Sequence, residues 1–219
     1  MSNNKRQKFK LDGWINLNKP KGIGSTPALG AVKRALNPMK AGHGGTLDPL
    51  ASGVLPIALG EATKTVAYAM DADKAYEFEI TWGENRDTQD AEGKVTGTSD
   101  ARPTKEQIIA ALPALIGRID QIPPKYSAIK VDGERAYDLA RAGEDVELKS
   151  RPVTIHDLVL LDQTRDSARF SVHCGKGTYI RSIARDLAQA LGTAGFVSEL
   201  IRTRVGPFTL ESAISLDLF

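Results

Sequence analysis

The stretch Ala41-Gly42-His43-Gly44-Gly45-Thr46-Leu47-Asp48-Pro49 concentrates the ingredients of chemistry. Its three glycines permit backbone conformations that side chains forbid and let a ligand approach the chain closely. They run into a lone carboxylate, Asp48, which the following proline restricts to extended geometry. A carboxylate on a stiff turn beside a glycine loop suits a nucleophile or a general base. The same residues also make an ordinary Asp-Pro turn with glycines serving close packing, and pattern alone favours that plainer reading.

A second candidate is Thr178-Tyr179-Ile180-Arg181. With Thr178 as helix cap, Arg181 falls in the first turn, where the helix dipole disfavours a cation. That placement makes sense opposite a carboxylate or phosphate, or for an arginine bending into solvent. Asp87-Thr88-Gln89-Asp90-Ala91-Glu92-Gly93 has acid spacing reminiscent of calcium sites but lacks the glycine position and terminal glutamate of an EF-hand loop, so it reads as a hairpin connection. Tyr76 has the flat face on which a nucleic-acid base stacks, although its alternation with Phe78, Ile80 and Trp82 favours one more core aromatic.

Other chemistries lack their signatures. No Gly-Lys-Ser/Thr closes a Walker loop, and there is no Gly-x-Ser-x-Gly elbow or Gly-x-Gly-x-x-Gly fingerprint. One cysteine, Cys174, and three histidines (His43, His156, His173) make a poor zinc set, and the lone cysteine excludes an internal disulfide framework. The chain of 219 residues, 41% hydrophobic and 26% charged, is long enough for one sizeable core. No apolar run approaches the ~18 residues of a membrane span, and no secretory signal opens the sequence. The expectation is a soluble, cytoplasmic protein. Its net charge of +2 hides an asymmetry: residues 1–70 hold ten Lys+Arg against three Asp+Glu (+7), residues 71–150 eleven against seventeen (−6), and residues 151–219 eight against seven (+1). A basic leading third points to an anionic partner such as nucleic acid, or to a solvated basic face.

The elements that must hold these residues read as follows. Ile15-Asn16-Leu17 is a short strand closed by the turn Lys19–Gly22. A helix starts with Thr26 as cap and Pro27 at its first position, presents Ala28, Val32 and Ala35 on one face, and stops at Asn37-Pro38. A second helix covers Ala62–Met70, and Tyr76–Trp82 alternates as a half-buried strand. Thr104–Gln107 is a capping box whose helix Pro113 interrupts. Residues 122–151, polar and rich in both charges, read as an arm projecting from the body with a short helix near Glu134–Ala142. Strands near Val153–Leu161 and Ala168–Cys174 precede a helix with Ile180, Ile183, Ala184, Leu187 and Leu191 on one face, ending at Gly192. Strands outside βαβ order indicate an α+β fold with a largely antiparallel sheet. Residues 1–11 read as a flexible basic arm, and residues 12–219 carry no linker that would divide them.

Several of these segments together resemble one family. Gly42–Pro49, followed by Gly53-Val54-Leu55-Pro56 and Gly60-Glu61-Ala62-Thr63-Lys64, is similar to the catalytic signature of the TruB family of tRNA pseudouridine synthases. Further matches occur in order: Leu17-Asn18-Lys19-Pro20-Lys21-Gly22, Lys74-Ala75-Tyr76, Asp87–Gly93, Pro123–Lys130, Gly177–Arg181 and Leu200-Ile201-Arg202-Thr203-Arg204. The resemblance runs from about residue 12 to residue 210.

It implies the pseudouridine synthase fold, a mixed, mainly antiparallel sheet flanked by helices and loops, with residues 123–151 as a protruding thumb arm. The implied reaction converts uridine-55 in the T loop of tRNA to pseudouridine after the base is flipped out of the loop, without metal, nucleotide or organic cofactor. Asp48 matches the family's nucleophile, which attacks ribose C1′ or uracil C6, or acts as a base at ribose C2′. Arg181 matches the arginine that pairs with this aspartate, and Asp90 an acid that completes the network with Tyr179 and Arg181. Tyr76 matches the tyrosine that stacks on the uracil, His43 a histidine at the vacated site, and Tyr179 and Leu200 the walls of the base pocket. Lys19 and Lys64 match positions near the cleft. The expected partner is the T-arm stem-loop of tRNA, bound by a monomer. Bacterial members continue into a small C-terminal RNA-binding domain, and the expectation here is a catalytic domain without it. The competing readings are a non-catalytic RNA-binding or tRNA-folding chaperone module, and a pseudouridine synthase acting on another RNA.

Overall fold

The computed structural model describes residues 7–127, 130–131, 134–135 and 148–219. Strand β1 (Gly13–Lys19) leads into helix α1 (Ser25–Leu36), strands β2 (Ala41–His43) and β3 (Ser52–Leu59), a 3-10 segment (Gly60–Thr65), helix α2 (Val66–Asp71) and strand β4 (Lys74–Trp82). The hairpin β5 (Glu84–Arg86) and β6 (Val95–Thr98) precedes helix α3 (Lys105–Ala111) and strand β7 (Gly117–Gln121). Then follow the hairpin β8 (Lys130–Val131) and β9 (Glu134–Arg135), strands β10 (Arg151–Gln163) and β11 (Ser167–Cys174), and helix α4 (Ile180–Ala190). Strand β12 (Gly195–Val205) and the short strands β13 (Phe208–Thr209) and β14 (Ile214–Ser215) close the fold. Parallel and antiparallel pairings coexist, the antiparallel ones prevailing, so the fold is α+β with a mixed, mainly antiparallel sheet.

Two compact units emerge, residues 1–76 with 200–219, and residues 77–199. The divisions fall inside β4 and β12, where no linker composition marks them.

In the first unit the strand order is β14-β1-β3-β12, with β2 also on β3. Strand β3 is the most buried, and its sequence hides it: Pro56 argues against an interior strand. The chain accommodates the proline because the Gly44 N–H donates to the Pro56 carbonyl at 2.7 Å. That puts the donor-less proline nitrogen on the edge where pairing with β12 at Ser52–Gly53 has ended and pairing with β2 at Ile57 has not begun. Val54, Ala69 and Val205 form a core closed by Trp14, Phe208 and Leu210, with the Trp14 and Phe208 rings 5.3 Å apart. Helix α1 begins earlier than expected: Gly24 is its cap, not Thr26, and Pro27 lies in its first turn. Ala28 and Val32 are buried as expected but Ala35 is exposed, because the helix is covered only along its first two turns. The expected Ala62–Met70 helix divides into the 3-10 segment and α2.

Of the expected flexible arm, residues 1–6 lie outside the described residues. Phe9 is tied down, its N–H donating to Asn37 O at 2.9 Å and its carbonyl accepting from Met39 N at 3.0 Å.

In the second unit β4 is followed by β11, β10 and β7, with β10 antiparallel to both neighbours. Alternation delivers the core: Phe78, Ile80 and Trp82 on β4 and Ala168, Phe170, Val172 and Cys174 on β11 are all 2% exposed or less. The apolar face of α4 adds Ile180, Ile183, Ala184 and Leu187. Tyr179 caps α4, not Thr178, whose hydroxyl instead donates to Gly175 O at 2.9 Å. The Thr104–Gln107 capping box on α3 is complete in both directions.

The region expected to project as an arm is anchored at its start. Pro123, Pro124 and Ser127 are buried, because the Ile122 carbonyl accepts from Ser182 Oγ and Arg185 Nη2, and the Tyr126 carbonyl from Arg181 Nη2. Its base is closed by Arg151 of β10 pairing with Gln121 of β7. The helix expected near Glu134–Ala142 is corrected at its first two residues, which are strand β9 paired with β8; residues 136–142 lie outside the described residues.

Candidate active site

Asp48 sits half-buried on a loop that its own unit clamps from several sides. Ser25, at the buried start of α1, grips Leu47 twice: its hydroxyl accepts from Leu47 N at 2.7 Å and donates to Leu47 O at 3.0 Å. Beyond Asp48, the Gly22 N–H donates to Pro49 O at 2.8 Å, and Ala51 N donates to Asp48 O at 3.1 Å. Upstream, Arg202 of β12 reaches Gly45 O with Nη2 at 3.1 Å, Thr46 O with Nη1 at 3.3 Å and Val54 O with Nε at 2.8 Å. Gly45 has φ +120°, a conformation that favours glycine, and Asp48 follows three residues later. The main chain on both sides of Asp48 is therefore fixed, which limits where its carboxylate can stand.

The first unit also holds His43, Lys19, Lys64, Tyr76 and Leu200. His43 ends β2, and its buried Nδ1 finds no hydrogen-bond partner among the described residues. Burial, and secondarily the Arg202 guanidinium, pull its pKa below 6.5 and keep the imidazole neutral at neutral pH. A depressed folded value means that the unfolded chain takes up the proton first. The stability His43 contributes is thus complete above pH 6.5 and declines as pH falls through its lower folded value. An NMR titration of the His43 ring should give a midpoint below 6.5; one at or above that value would contradict the burial and charge argument.

Lys19 is fully buried, its ammonium donating to Pro20 O and Ile23 O and so bracing the turn that contains Gly22. The Lys64 side chain is 68% exposed and pairs with Glu61 one turn away. Tyr76 is half-buried on β4, whereas Phe78, Ile80 and Trp82 are core, so it is set apart from the aromatics with which it alternates. Leu200 is buried on β12.

The second unit brings Asp90, Tyr179 and Arg181 near one another through a shared set of neighbours. Arg181, 5% exposed at the second position of α4, donates to Thr88 O at 3.0 Å and Tyr126 O at 2.9 Å, and its Nε lies 3.8 Å from Asp90 Oδ2. Asp90, 2% exposed, is held by Thr88 Oγ1 at 2.6 Å and Glu92 N at 3.0 Å. This carboxylate offsets the unfavourable placement of a cation in the first turn of a helix. Tyr179 is bracketed by buried Gln121, whose Oε1 accepts from Tyr179 N at 2.8 Å and whose Nε2 donates to Tyr179 O at 3.1 Å. Asp87–Gly93 is the expected hairpin connection between β5 and β6.

Sequence reasoning gives no role to Arg202, which enters only within the Leu200–Arg204 match, and does not single out Ser25. An arginine two residues from Leu200, on the same strand face, is the signal that could have exposed Arg202. No equivalent signal marks Ser25.

The family model described as TruB family pseudouridylate synthase, N-terminal domain, matches residues 33–180. The chain belongs to the TruB family. A second model, for the tRNA pseudouridylate synthase B C-terminal domain, matches residues 181–219. Among curated relatives, the tRNA pseudouridine synthase B of Caulobacter vibrioides is 61% identical over 94% of this chain and 67% of its own length. That of Bradyrhizobium diazoefficiens is 58% identical over 97% of this chain and 62% of its own. The chain thus spans about two thirds of the length of the TruB-family proteins it matches. A crystal structure of a Cbf5-Nop10-Gar1 complex contains a chain of the same fold, with TM-score 0.74 and 34% identity over 94% of this chain and 52% of that one. A similar chain, with TM-score 0.71 and 31% identity, occurs in an H/ACA RNP bound to a substrate RNA containing 2′-deoxyuridine. No helix among the described residues is long and apolar enough to cross a membrane.

Proposed function

We propose that the chain isomerises uridine-55 in the T loop of tRNA to pseudouridine, with Asp48 as its catalytic carboxylate. The observation that carries this reading is the Asp48 loop: a half-buried carboxylate is pinned through Leu47 and Pro49 in a chain of a pseudouridine synthase family. The reaction breaks the N1–C1′ bond, joins C1′ to C5, releases the C5 proton to solvent and returns a proton to N1, so no atom is gained or lost. Asp48 is suited to attack C1′ or C6, or to remove a proton at C2′. Because these atoms are inaccessible in a folded T loop, the uridine is flipped out, and Tyr76 serves as the face on which its uracil stacks. By their family positions, neutral His43 is assigned to the vacated site, Tyr179 and Leu200 each to contact with the base, and Asp90 and Arg181 to supporting charge. Lys19 braces the loop's neighbouring turn. The partner is the T-arm stem-loop, the enzyme acts as a cytoplasmic monomer, and the chemistry needs no metal or organic cofactor.

The identity to proteins named for tRNA, nearly twice that to the chains from H/ACA-type complexes, supports tRNA as substrate. The test is a panel of unmodified RNAs, comprising a tRNA transcript, its isolated T-arm hairpin, the hairpin with cytidine at position 55, and an unrelated ribosomal fragment. Pseudouridine should form in the first two alone. Product confined to the ribosomal fragment would move the activity to another RNA, and tight binding without product would favour the chaperone reading.

Affinity should also depend steeply on salt, because the basic first seventy residues release counterions on meeting phosphates. Log affinity for the hairpin is expected to fall linearly with log salt concentration. A flat titration would remove the electrostatic part of the account.

A further inference from the structure

We propose that Arg202 is a positioning residue for catalysis: its guanidinium holds the Gly45-Thr46 peptides and thereby sets where the Asp48 carboxylate stands. The inference deepens the proposed function and rests on its assignment of Asp48. Arg202 is among the largest fully enclosed side chains, 2% exposed, and among the described residues its hydrogen-bond partners are three backbone carbonyls and no carboxylate. Charge burial of this kind is a poor way to stabilise a fold, since an apolar side chain of similar size would avoid the desolvation cost. What an apolar side chain would lack is the planar fork. Nε ties the residue to Val54 of the neighbouring strand, while Nη1 and Nη2 extend to two successive loop carbonyls.

The geometry divides the side chain's work between strand and loop. The Nε bond to Val54 reinforces pairing already made by Ile201 with Ser52 and Arg202 with Gly53. The Nη bonds fix peptides that belong to no strand, among them that of Gly45, whose φ of +120° is a conformation open to glycine. The fork is backed by Ser25, which holds Leu47 from the opposite end of the same segment. Between them the two side chains bond Gly45, Thr46 and Leu47 in succession, immediately ahead of Asp48. The same guanidinium adds to the burial that disfavours protonation of His43.

Lysine keeps the charge but not the fork, so Arg202→Lys isolates the positioning role. Single-turnover pseudouridine formation on the T-arm hairpin, hairpin affinity, thermal melting and amide exchange over residues 44–50 are measured together on the full chain. Arg202→Lys should lower the rate about 100-fold, the loss associated with misplacing a reacting group by about 1 Å, with affinity within a few-fold of wild type. Exchange over residues 44–50 should accelerate while the strand amides of β1 and β3 stay protected. In Arg202→Ala, added guanidinium ion should recover part of the rate. Ser25→Ala, which leaves Arg202 untouched, should show the same combination of slower chemistry and retained binding, and so covers the case in which the Arg202 variants do not fold. A folded Arg202→Lys variant with wild-type rate, or with unchanged exchange over residues 44–50, would overturn the inference. Failure of the functional reading is distinguishable, because the wild type itself would then make no pseudouridine and the exchange result would still decide what Arg202 holds in place.

Discussion

Replacing Asp48 by asparagine is expected to abolish pseudouridine formation while leaving binding of a T-arm hairpin within a few-fold of wild type. The amide preserves the side chain's size, and the bonds from Arg202, Ser25 and Gly22 to the backbone of residues 45, 46, 47 and 49 are untouched by the substitution. The loop therefore survives the change. What is lost is the negative charge and the nucleophilic or basic oxygen, one of which is required for attack at C1′ or C6 and for proton removal at C2′ alike. Affinity persists because it comes from the basic surface and from stacking of unpaired bases, the latter worth about 1–3 kcal/mol per base. The check pairs tritium release from C5-labelled uridine with a binding titration and a thermal melt. A folded variant that still released tritium at an appreciable fraction of the wild-type rate would remove Asp48 from the chemistry. A folded variant unable to bind would make it a substrate anchor.

The largest effect on the fold is expected from Gly53→Ala. Gly53 stands at φ +102°, and a Cβ added there lies 2.2 Å from Arg202 O and 2.9 Å from Arg202 N. Both obstacles are backbone atoms of the strand paired with it, so no side-chain rotation relieves them. The alanine must adopt a strained conformation, costing about 1–3 kcal/mol, and must also push β3 away from β12 at the point where the two pair in parallel. A total of about 4–5 kcal/mol, in the range reserved for severe changes, lowers the melting temperature by about 10 °C or more for a chain of this size. Gly42→Ala is the control: a Cβ added at Gly42 meets nothing within 4 Å, and the φ there is unexceptional. Denaturant melts of both variants should separate them clearly. Equal stability would show that β3 and β12 adjust to each other more readily than their register implies.

Legibility of the fold in the sequence followed burial. Strands that bury one face, such as Tyr76–Trp82 and Ala168–Cys174, alternate visibly, and α4 shows its apolar face at helical spacing. Strand β3 did not read as a strand because it is buried on both faces and contains Pro56, whose tolerance depends on where two neighbouring strands stop and start. Cap positions shifted by one or two residues, as at Gly24 and Tyr179, since the side chains with capping chemistry were used elsewhere: Thr178 bonds Gly175. For the candidate site, the glycines and proline made Asp48 a candidate, but pattern alone favoured a plain turn and the family resemblance carried its assignment. The clamps that place it were not legible, because Ser25 and Arg202 act on backbone carbonyls and amides more than twenty residues away, contacts that carry no local pattern.

The most direct measurement uses a T-arm hairpin carrying tritium at C5 of a single uridine, the one at position 55, mixed with an excess of the chain and no added cofactor. Isomerisation must expel that hydrogen when C1′ transfers to C5, whereas binding, flipping or refolding of the RNA leaves it in place. The account predicts release approaching one tritium per hairpin, with pseudouridine found at position 55 of the recovered RNA. Full retention of tritium in a hairpin shown to be bound would contradict it.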